Sequence, residues 1–372
     1  MAARTVPPMN APASSVTVKV SAIDTTLRVG GMQANFLWKE KIEGFDNFKF
    51  GTWSLLIEHP SGRKLLYDLG ARKDWENVAP GVGLKQMVDA GVVQGRSVER
   101  NVAEILTDGG VDLHDIEGII WSHYHFDHTG DVSTFPTSTK LVVGPGTKAN
   151  YLPGYPADPS AKTLASDFEG REVQEADFSG AVLQIGRFKS IDYFGDGSFF
   201  LLDSPDHAIG HINALARTHV SPSPGFIHMC GDSAHHPAEI RPSEYVPLPD
   251  TIEPSPVPRL HPNTCPGHVF SAILHNASKT QPILTFHDPF SERISDAKYR
   301  MIVDESQLRD TLIKNEEFHG AQDVFTVLAH DWSLKGVIDE WPKSLNAWKE
   351  QVWKASTHWK FLEDFEKASG GS

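Results

Sequence analysis

The segment WSHYHFDHTGD, residues 121–131, places three histidines and one aspartate within six positions. It directly follows IEGII, an apolar run of the kind that forms a short buried strand. A solvated loop or a hydrogen-bonded core explains a single histidine well, but four such side chains at one strand end favour a metal site. The loop can point His123 and His125 at one ion and Asp127 and His128 at a second, and zinc prefers imidazole and carboxylate ligands.

The composition narrows the class of protein. The 372-residue chain has a formal net charge of −14 and no run of lysines and arginines, so it lacks the positive charge that drives nucleic-acid binding. Its two cysteines are too few for a disulfide framework, and its first residues lack the apolar core of a secretory signal. No window approaches the roughly 18 apolar residues that span a bilayer. We therefore expect a cytoplasmic protein that acts on a small molecule.

Strands and helices alternate along the chain. Residues 51–70 read as a β-hairpin that ends at Asp68 and Gly70, and residues 97–110 carry apolar side chains at helical spacing before a glycine pair. Three further apolar runs, SFFLLDSP, GFIHMCGDS and VFTVLAHD, end directly in aspartate or histidine. This pattern predicts an α/β protein whose functional groups lie in loops at strand ends.

Two segments differ from the rest of what we predict to be one domain spanning residues 1–372. Residues 237–266 hold nine of the 25 prolines and show little periodicity, which predicts a long insertion that lines a site or covers a surface. Residues 341–366 predict a C-terminal amphipathic helix, which could pack on the domain or form a homodimer interface. Its apolar face would consist of Leu345, Trp348, Val352, Trp359 and Leu362.

HYHFDH matches the His-x-His-x-Asp-His signature of the metallo-β-lactamase superfamily, and other segments resemble that family in the same order. Asp68 and Gly70 resemble its early Asp-x-Gly, SPDHAIGHI its Pro-Gly-His-Thr-x-Gly-His segment, and GDS and LAHD the segments of its bridging aspartate and last histidine. The resemblance spans roughly residues 50–335. It implies an αβ/βα four-layer sandwich with two Zn²⁺ ions per chain at one edge. The implied ligands are His123, His125 and His207 for the first ion, Asp127, His128 and His330 for the second, and Asp232 bridging both.

Two of these positions have competitors. His211 lies in the same segment as His207, but the family's ligand is the first histidine of the pair, so His211 is assigned a structural role. His287 and His330 both follow apolar runs and precede aspartate. We prefer His330 because VFTVLAHD is the more convincing buried strand.

The implied reaction is hydrolysis by a hydroxide bound to two metals. The chain resembles the acyl-homoserine-lactonase-like and fungal lactone- or lactam-hydrolysing members, which predicts the opening of a small cyclic ester or amide. A thioesterase of the glyoxalase II or polyketide-releasing type is the alternative. A diiron redox protein is disfavoured because its second motif histidine is usually glutamate, whereas this chain has His125. A phosphodiesterase is disfavoured by the negative charge.

His235 lies three residues after the bridging aspartate, where acyl-homoserine lactonases typically have a tyrosine that reaches the substrate. An imidazole there could donate a hydrogen bond to the oxyanion or a proton to a lactam nitrogen. It could also merely begin the proline-rich loop. We predict Asp127, Asp232 and His235 as the catalytic residues.

Overall fold

The structure, a computed structural model, describes residues 3–205, 207–288 and 296–370. Strands β1 to β10 are Lys19–Asp24, Leu27–Gln33, Asn47–Phe50, Trp53–Glu58, Lys64–Tyr67, Val93–Gln94, Ser97–Val98, Ile116–Ile120, Lys140–Val143 and Val173–Glu175. Strands β11 to β18 are Gln184–Ile185, Phe188–Asp192, Phe199–Asp203, Ile212–His219, Gly225–Met229, Thr251–Ile252, Cys265–Pro266 and Val324–Val327. Helices α1 to α6 are Leu84–Asp89, Val102–Asp108, Phe126–Thr129, Thr147–Tyr151, Glu305–Gly320 and Trp353–Thr357. Within these ranges, no helix combines the length and the apolar character needed to cross a bilayer.

Two six-stranded sheets face each other, with strand orders β1-β4-β5-β8-β9-β10 and β11-β12-β13-β14-β15-β18. Their packing follows from the two-residue period of a strand. In β4, Leu55 and Ile57 point into the core between the sheets, whereas Leu56 points to the outer face. In β13, Phe199 and Leu201 point into the same inter-sheet core. Both sheets are therefore apolar on both faces and must be covered on the outside.

Helices cover the two outer faces. Val102 and Leu106 of α2 pack into the outer core of the first sheet. Phe318 of α5 packs against Phe200 and Leu202 on the outer face of the second sheet. The layers therefore run helix, sheet, sheet, helix, and the predicted αβ/βα four-layer sandwich is confirmed.

The sheets bring several strand ends to one edge of the sandwich. Strand β5 pairs in parallel with β8, and β15 pairs in parallel with β18, so the loops after each pair emerge on the same side. Hydrogen bonds join the two sheets at this edge. The hydroxyl of Tyr67 donates to the carbonyl oxygen of Ile212 (2.8 Å), and the amide of Ile212 donates to the carbonyl oxygen of Ser122 (2.9 Å).

A second core lies beside this edge, and we call it the cap core. Strands β2, β3 and β6 form a small sheet, and their apolar side chains pack with the proline-rich segment and the end of the chain. Residues 237–266 contribute the buried side chains of Leu248, Ile252 and Val257 to this core. The proline-rich segment therefore covers a hydrophobic surface.

The prediction of one C-terminal amphipathic helix over 341–366 is wrong. Leu345 and Trp348 pack into the inter-sheet core, whereas Phe361 packs into the cap core, so the chain has to turn between them. It does so at Val352, which has a left-handed backbone (φ +50°) and is 61% exposed. In chain order, the segment consists of a 3-10 turn at Leu345–Trp348, a short α-helix at Trp353–Thr357 and a second 3-10 turn at Lys360–Phe365.

Candidate metal centre

Two groups of ligand-type side chains converge at the edge where the strands end. In each group, one ligand atom from every residue lies within 4.8 Å of the others. Asp232 belongs to both groups. The first group is His123, His125, His207 and Asp232, and the second is Asp127, His128, Asp232 and His330.

The division between the groups arises from local backbone geometry after β8. His125 has an extended backbone (φ −66°, ψ 148°), and the single turn of α3 begins at the next residue. Side chains before this turn, those of His123 and His125, face the first group. The turn redirects Asp127 and His128 to the second group. One six-residue motif thus supplies residues to both groups.

The carboxylate of Asp232 lies at the centre. Its Oδ2 is 3.1 Å from His128 Nε2 and 3.8 Å from the Nε2 atoms of both His123 and His207. Its Oδ1 is 3.2 Å from His330 Nε2. The two carboxylate oxygens are therefore in contact with both groups at once.

The donor set fits metal binding. His123 Nε2, His128 Nε2 and Asp232 Oδ1 are buried atoms without a hydrogen-bond partner. Leaving a buried polar atom unsatisfied costs about 1–3 kcal/mol, and here such atoms face one another. Cations placed among them would satisfy all of them. Imidazole nitrogens with carboxylate oxygens are the donors that zinc prefers.

The electrostatic environment keeps the first group ready to bind a cation. Burial, followed by repulsion from neighbouring imidazoles, lowers the pKa of His123 and His207 well below the usual value. Burial and the Lys162 ammonium do the same to the pKa of His125. Burial would raise the pKa of Asp232, but nearby histidines, His128 first, outweigh it and hold that pKa well below its usual range. Neutral imidazoles thus face an ionised carboxylate.

Two ligand-type histidines are oriented by hydrogen bonds at their far nitrogens. Nδ1 of His128 is 2.8 Å from Asp68 Oδ2, and Asp68 also accepts hydrogen bonds from the amide (2.6 Å) and hydroxyl (2.7 Å) of Ser122. Nδ1 of His330 is 3.0 Å from the carbonyl oxygen of Gly51. In both cases the oxygen accepts from Nδ1–H, which fixes the ring with Nε2 directed into the cluster.

Asp68→Asn is expected to weaken metal binding in the second group on the order of 10-fold, the lower end of the range for such supporting residues. An amide offers one oxygen and one NH₂, so either His128 Nδ1–H or the Ser122 amide must face another donor. Asparagine tolerates the left-handed backbone at this position (φ +58°), so the change tests the acceptor and not the turn. Competition with a chelator measures the affinity. An unchanged affinity would contradict this orienting role.

The competing histidines lie elsewhere. His211 Nε2 accepts a hydrogen bond from the Asp232 amide (3.1 Å), while its Nδ1 is 3.0 Å from the Ser204 carbonyl oxygen. Both nitrogens are therefore used, consistent with a structural role. His287 Nε2 is 3.1 Å from the Asn35 carbonyl oxygen, and His287 belongs to neither group.

A pocket opens above the two groups, with about 950 Å³ of space when its open mouth is included. Tyr124 and Phe126 line it, whereas Phe135, another aromatic residue near the motif, lies in the outer core of the first sheet. Further apolar side chains come from β2, β3, the connection between them, and α1 with the turn before it, among them Met32, Leu37, Phe48, Phe50, Val82 and Met87.

Sequence reasoning did not identify three features of this pocket. The wall from β2 and β3, with Phe48 and Phe50, reads in the sequence as an ordinary half-buried hairpin. Phe286 packs against the ring of His235, at 4.4 Å between centroids. Lys162 lies in the wall although its loop shows no motif. No signal in the sequence marks that position.

Comparison with known proteins agrees with this geometry. The family model described as the Metallo-beta-lactamase superfamily matches residues 48–271, more than half of the chain. "Gamma-lactamase FDB1" of Fusarium pseudograminearum is 41% identical over 369 residues, which cover 96% of this chain and 85% of that protein. "Metallo-hydrolase mfmC" of Annulohypoxylon moriforme is 39% identical over 362 residues, with coverage of 97% and 91%.

Solved structures share the fold at low sequence identity. A B. thuringiensis AiiA variant with N-decanoyl-L-homoserine bound has a TM-score of 0.56 at 14% identity, with 88% of this chain and 99% of that chain covered. A quorum-quenching N-acyl homoserine lactone hydrolase has a TM-score of 0.54 at 14% identity, with coverage of 89% and 99%. The family match and the identity to the fungal relatives show that the chain belongs to the metallo-β-lactamase superfamily and is a metal-dependent hydrolase.

Proposed function

We propose that the protein is a zinc-dependent hydrolase that opens a small cyclic amide or ester, with a lactam as the preferred class. The observation that carries this proposal is the pair of ligand groups sharing Asp232 at the base of a largely apolar pocket. Apolar walls above a base of polar ligand-type side chains suit a compact ring system. The relative named a gamma-lactamase, 41% identical over 96% of this chain, supports a cyclic amide as substrate.

The proposed chemistry divides between the ions and the chain. When bound, two zinc ions supply a water activated near neutral pH and polarise the scissile carbonyl. Asp127, whose Oδ2 is 3.5 Å from His330 Nε2, accepts a hydrogen bond from the attacking water and orients it. Asp232 holds the two ligand groups together. The apolar walls exclude other water from the reacting ring.

His235 is the proposed donor to the leaving atom. Its ring is buried and lines the pocket, with Nε2 3.5 Å from Asp232 Oδ2. Its Nδ1 is 3.6 Å from Glu239 Oε1, and the same oxygen accepts a hydrogen bond from the His235 amide (3.0 Å). Phe286 therefore packs against the ring, Glu239 holds the His235 backbone, and Nε2 is left toward the site.

We expect the purified protein to hold close to two zinc ions per chain, because one tetrahedral ion cannot gather seven ligand-type residues. Elemental analysis measures this. The matched variant Asp232→Asn should lose metal from both groups, since Asp232 belongs to each. Active protein without metal, or redox-active iron together with oxygen reduction, would overturn the zinc hydrolase proposal.

A substrate panel separates the remaining candidates. Hydrolysis of γ-lactams, γ-lactones and linear thioesters of similar size by the zinc-loaded protein is followed by the disappearance of each substrate. The proposal expects the cyclic substrates to be turned over faster than linear thioesters. Faster turnover of thioesters would favour the alternative function, a thioesterase of the glyoxalase II or polyketide-releasing type.

A further inference from the structure

A lysine lies in the wall of the pocket, on the side of the first ligand group. Lys162 lines the same pocket as His125 and His207. Its neighbours hold the backbone in place, because Ala161 and Thr163 are both buried. The Ala161 amide donates to the Asp158 carbonyl oxygen (3.1 Å), and the Thr163 hydroxyl donates to the Tyr151 carbonyl oxygen (2.8 Å). The lysine is therefore held at the pocket by its loop.

The ammonium group has few partners. It donates to the Tyr299 carbonyl oxygen at 3.3 Å and lies 4.8 Å from the centre of the Tyr299 ring. Across residues 3–205, 207–288 and 296–370, no carboxylate forms an ion pair with it. Lys354, another lysine in the interior, donates instead to the carbonyl oxygens of His319, Ala321 and Val324. An ammonium has three N–H donors, so Lys162 keeps capacity for a further acceptor.

The surroundings of Lys162 disfavour its charged ammonium form unless a negatively charged group lies nearby. Burial lowers its pKa, and the more distant carboxylate of Asp288 opposes this only in part. Cations bound by His125 and His207 would repel the ammonium further. A negatively charged group in the pocket would relieve both effects and could form a charge-assisted hydrogen bond with Nζ.

We propose that Lys162 binds a carboxylate of the ligand, and specifically the carboxylate created by ring opening. This inference rests on the proposed ring-opening function. Hydrolysis breaks the ring C–N or C–O bond, adds OH to the carbonyl carbon and H to the leaving atom, and the new acid then ionises. A neutral ring thus gains a carboxylate beside Lys162, as an anion from a lactone and as a zwitterion from a lactam whose freed amine takes up the proton. A carboxyl substituent on the intact substrate offers the same chemistry, and the experiment separates the two sources.

The test measures binding by calorimetry in zinc-loaded wild type and Lys162→Met, with metal content checked in each. The probes are a neutral γ-lactam, the same lactam bearing a carboxyl substituent, and the ring-opened amino acid of the neutral lactam. We expect Lys162→Met to weaken binding of the ring-opened acid about 10-fold, as for a lost charge-assisted hydrogen bond, and binding of the neutral lactam less than about 2-fold. Lys162→Arg should retain most of the affinity. Lys343→Met removes one exposed lysine that pairs with Asp339 and serves as the net-charge control.

Weakening restricted to the ring-opened acid supports the product carboxylate. Weakening restricted to the carboxylated lactam keeps the carboxylate site but assigns it to the substrate. Equal changes for all three probes, or none, would overturn the inference. Because metal content and wild-type ring opening are measured separately, that outcome would leave the proposed function standing.

Discussion

His330→Ala and Asp127→Ala are each expected to reduce turnover by several orders of magnitude and to lower the zinc content toward one ion per chain. Both residues belong only to the second ligand group, and the Asp127 Oδ2 atom lies 3.5 Å from His330 Nε2. Removing either leaves three residues in that group, one of them the shared Asp232, which weakens the binding of that ion and with it the polarisation of the scissile carbonyl. Elemental analysis and turnover of the preferred ring substrate are the two measurements.

His287→Ala is the matched control, because it also follows an apolar run and precedes aspartate. Its Nε2 contacts a backbone carbonyl oxygen and its ring belongs to neither ligand group. The variant should keep both ions and most of its turnover. Loss of metal in His287→Ala, with retention in His330→Ala, would show that the second ligand group is assigned wrongly.

Much of the candidate site could be predicted from the sequence because its residues follow buried strands. His123, Asp232 and His330 each come a few residues after an apolar run, and parallel strands end at the same edge of a sheet. The division of the motif between the two ligand groups is set by the backbone of the six consecutive motif residues alone. Short-range geometry of this kind is visible in a single sequence.

The pocket walls could not be predicted in the same way. Phe48 and Phe50 reach the site because a hairpin far from the motif in sequence packs over it, and their alternation is that of any half-buried strand. Lys162 lies in an irregular loop, so no periodicity indicates which way it points. The C-terminal segment shows the same limit. Periodicity correctly predicts that Leu345 and Leu362 are buried. It does not reveal that Leu345 packs into the inter-sheet core and Leu362 into the cap core.

His235→Ala is expected to keep both ions and the fold while lowering kcat by roughly 10²-fold on a lactam, the size expected when a donor to the leaving group is lost. An amide nitrogen is a poor leaving group and depends on this donor, whereas an activated ester releases an oxygen that does not. The loss should therefore be clearly smaller on an activated ester of similar size. Turnover of both substrates at matched zinc content measures the difference.

Two further variants separate donation from packing. His235→Gln keeps a planar polar side chain but cannot transfer a proton, so it should not recover the lactam rate. His236→Ala removes the neighbouring imidazole, which packs against Trp38 and Phe365 in the cap core and is 3.0 Å from Asp364 Oδ2. It should lower the melting temperature without changing the ratio of lactam to ester rates, because this ring faces away from the pocket. If His235→Ala lowers both rates equally and slightly, the imidazole only supports the start of the proline-rich segment, and the leaving atom must find its proton elsewhere.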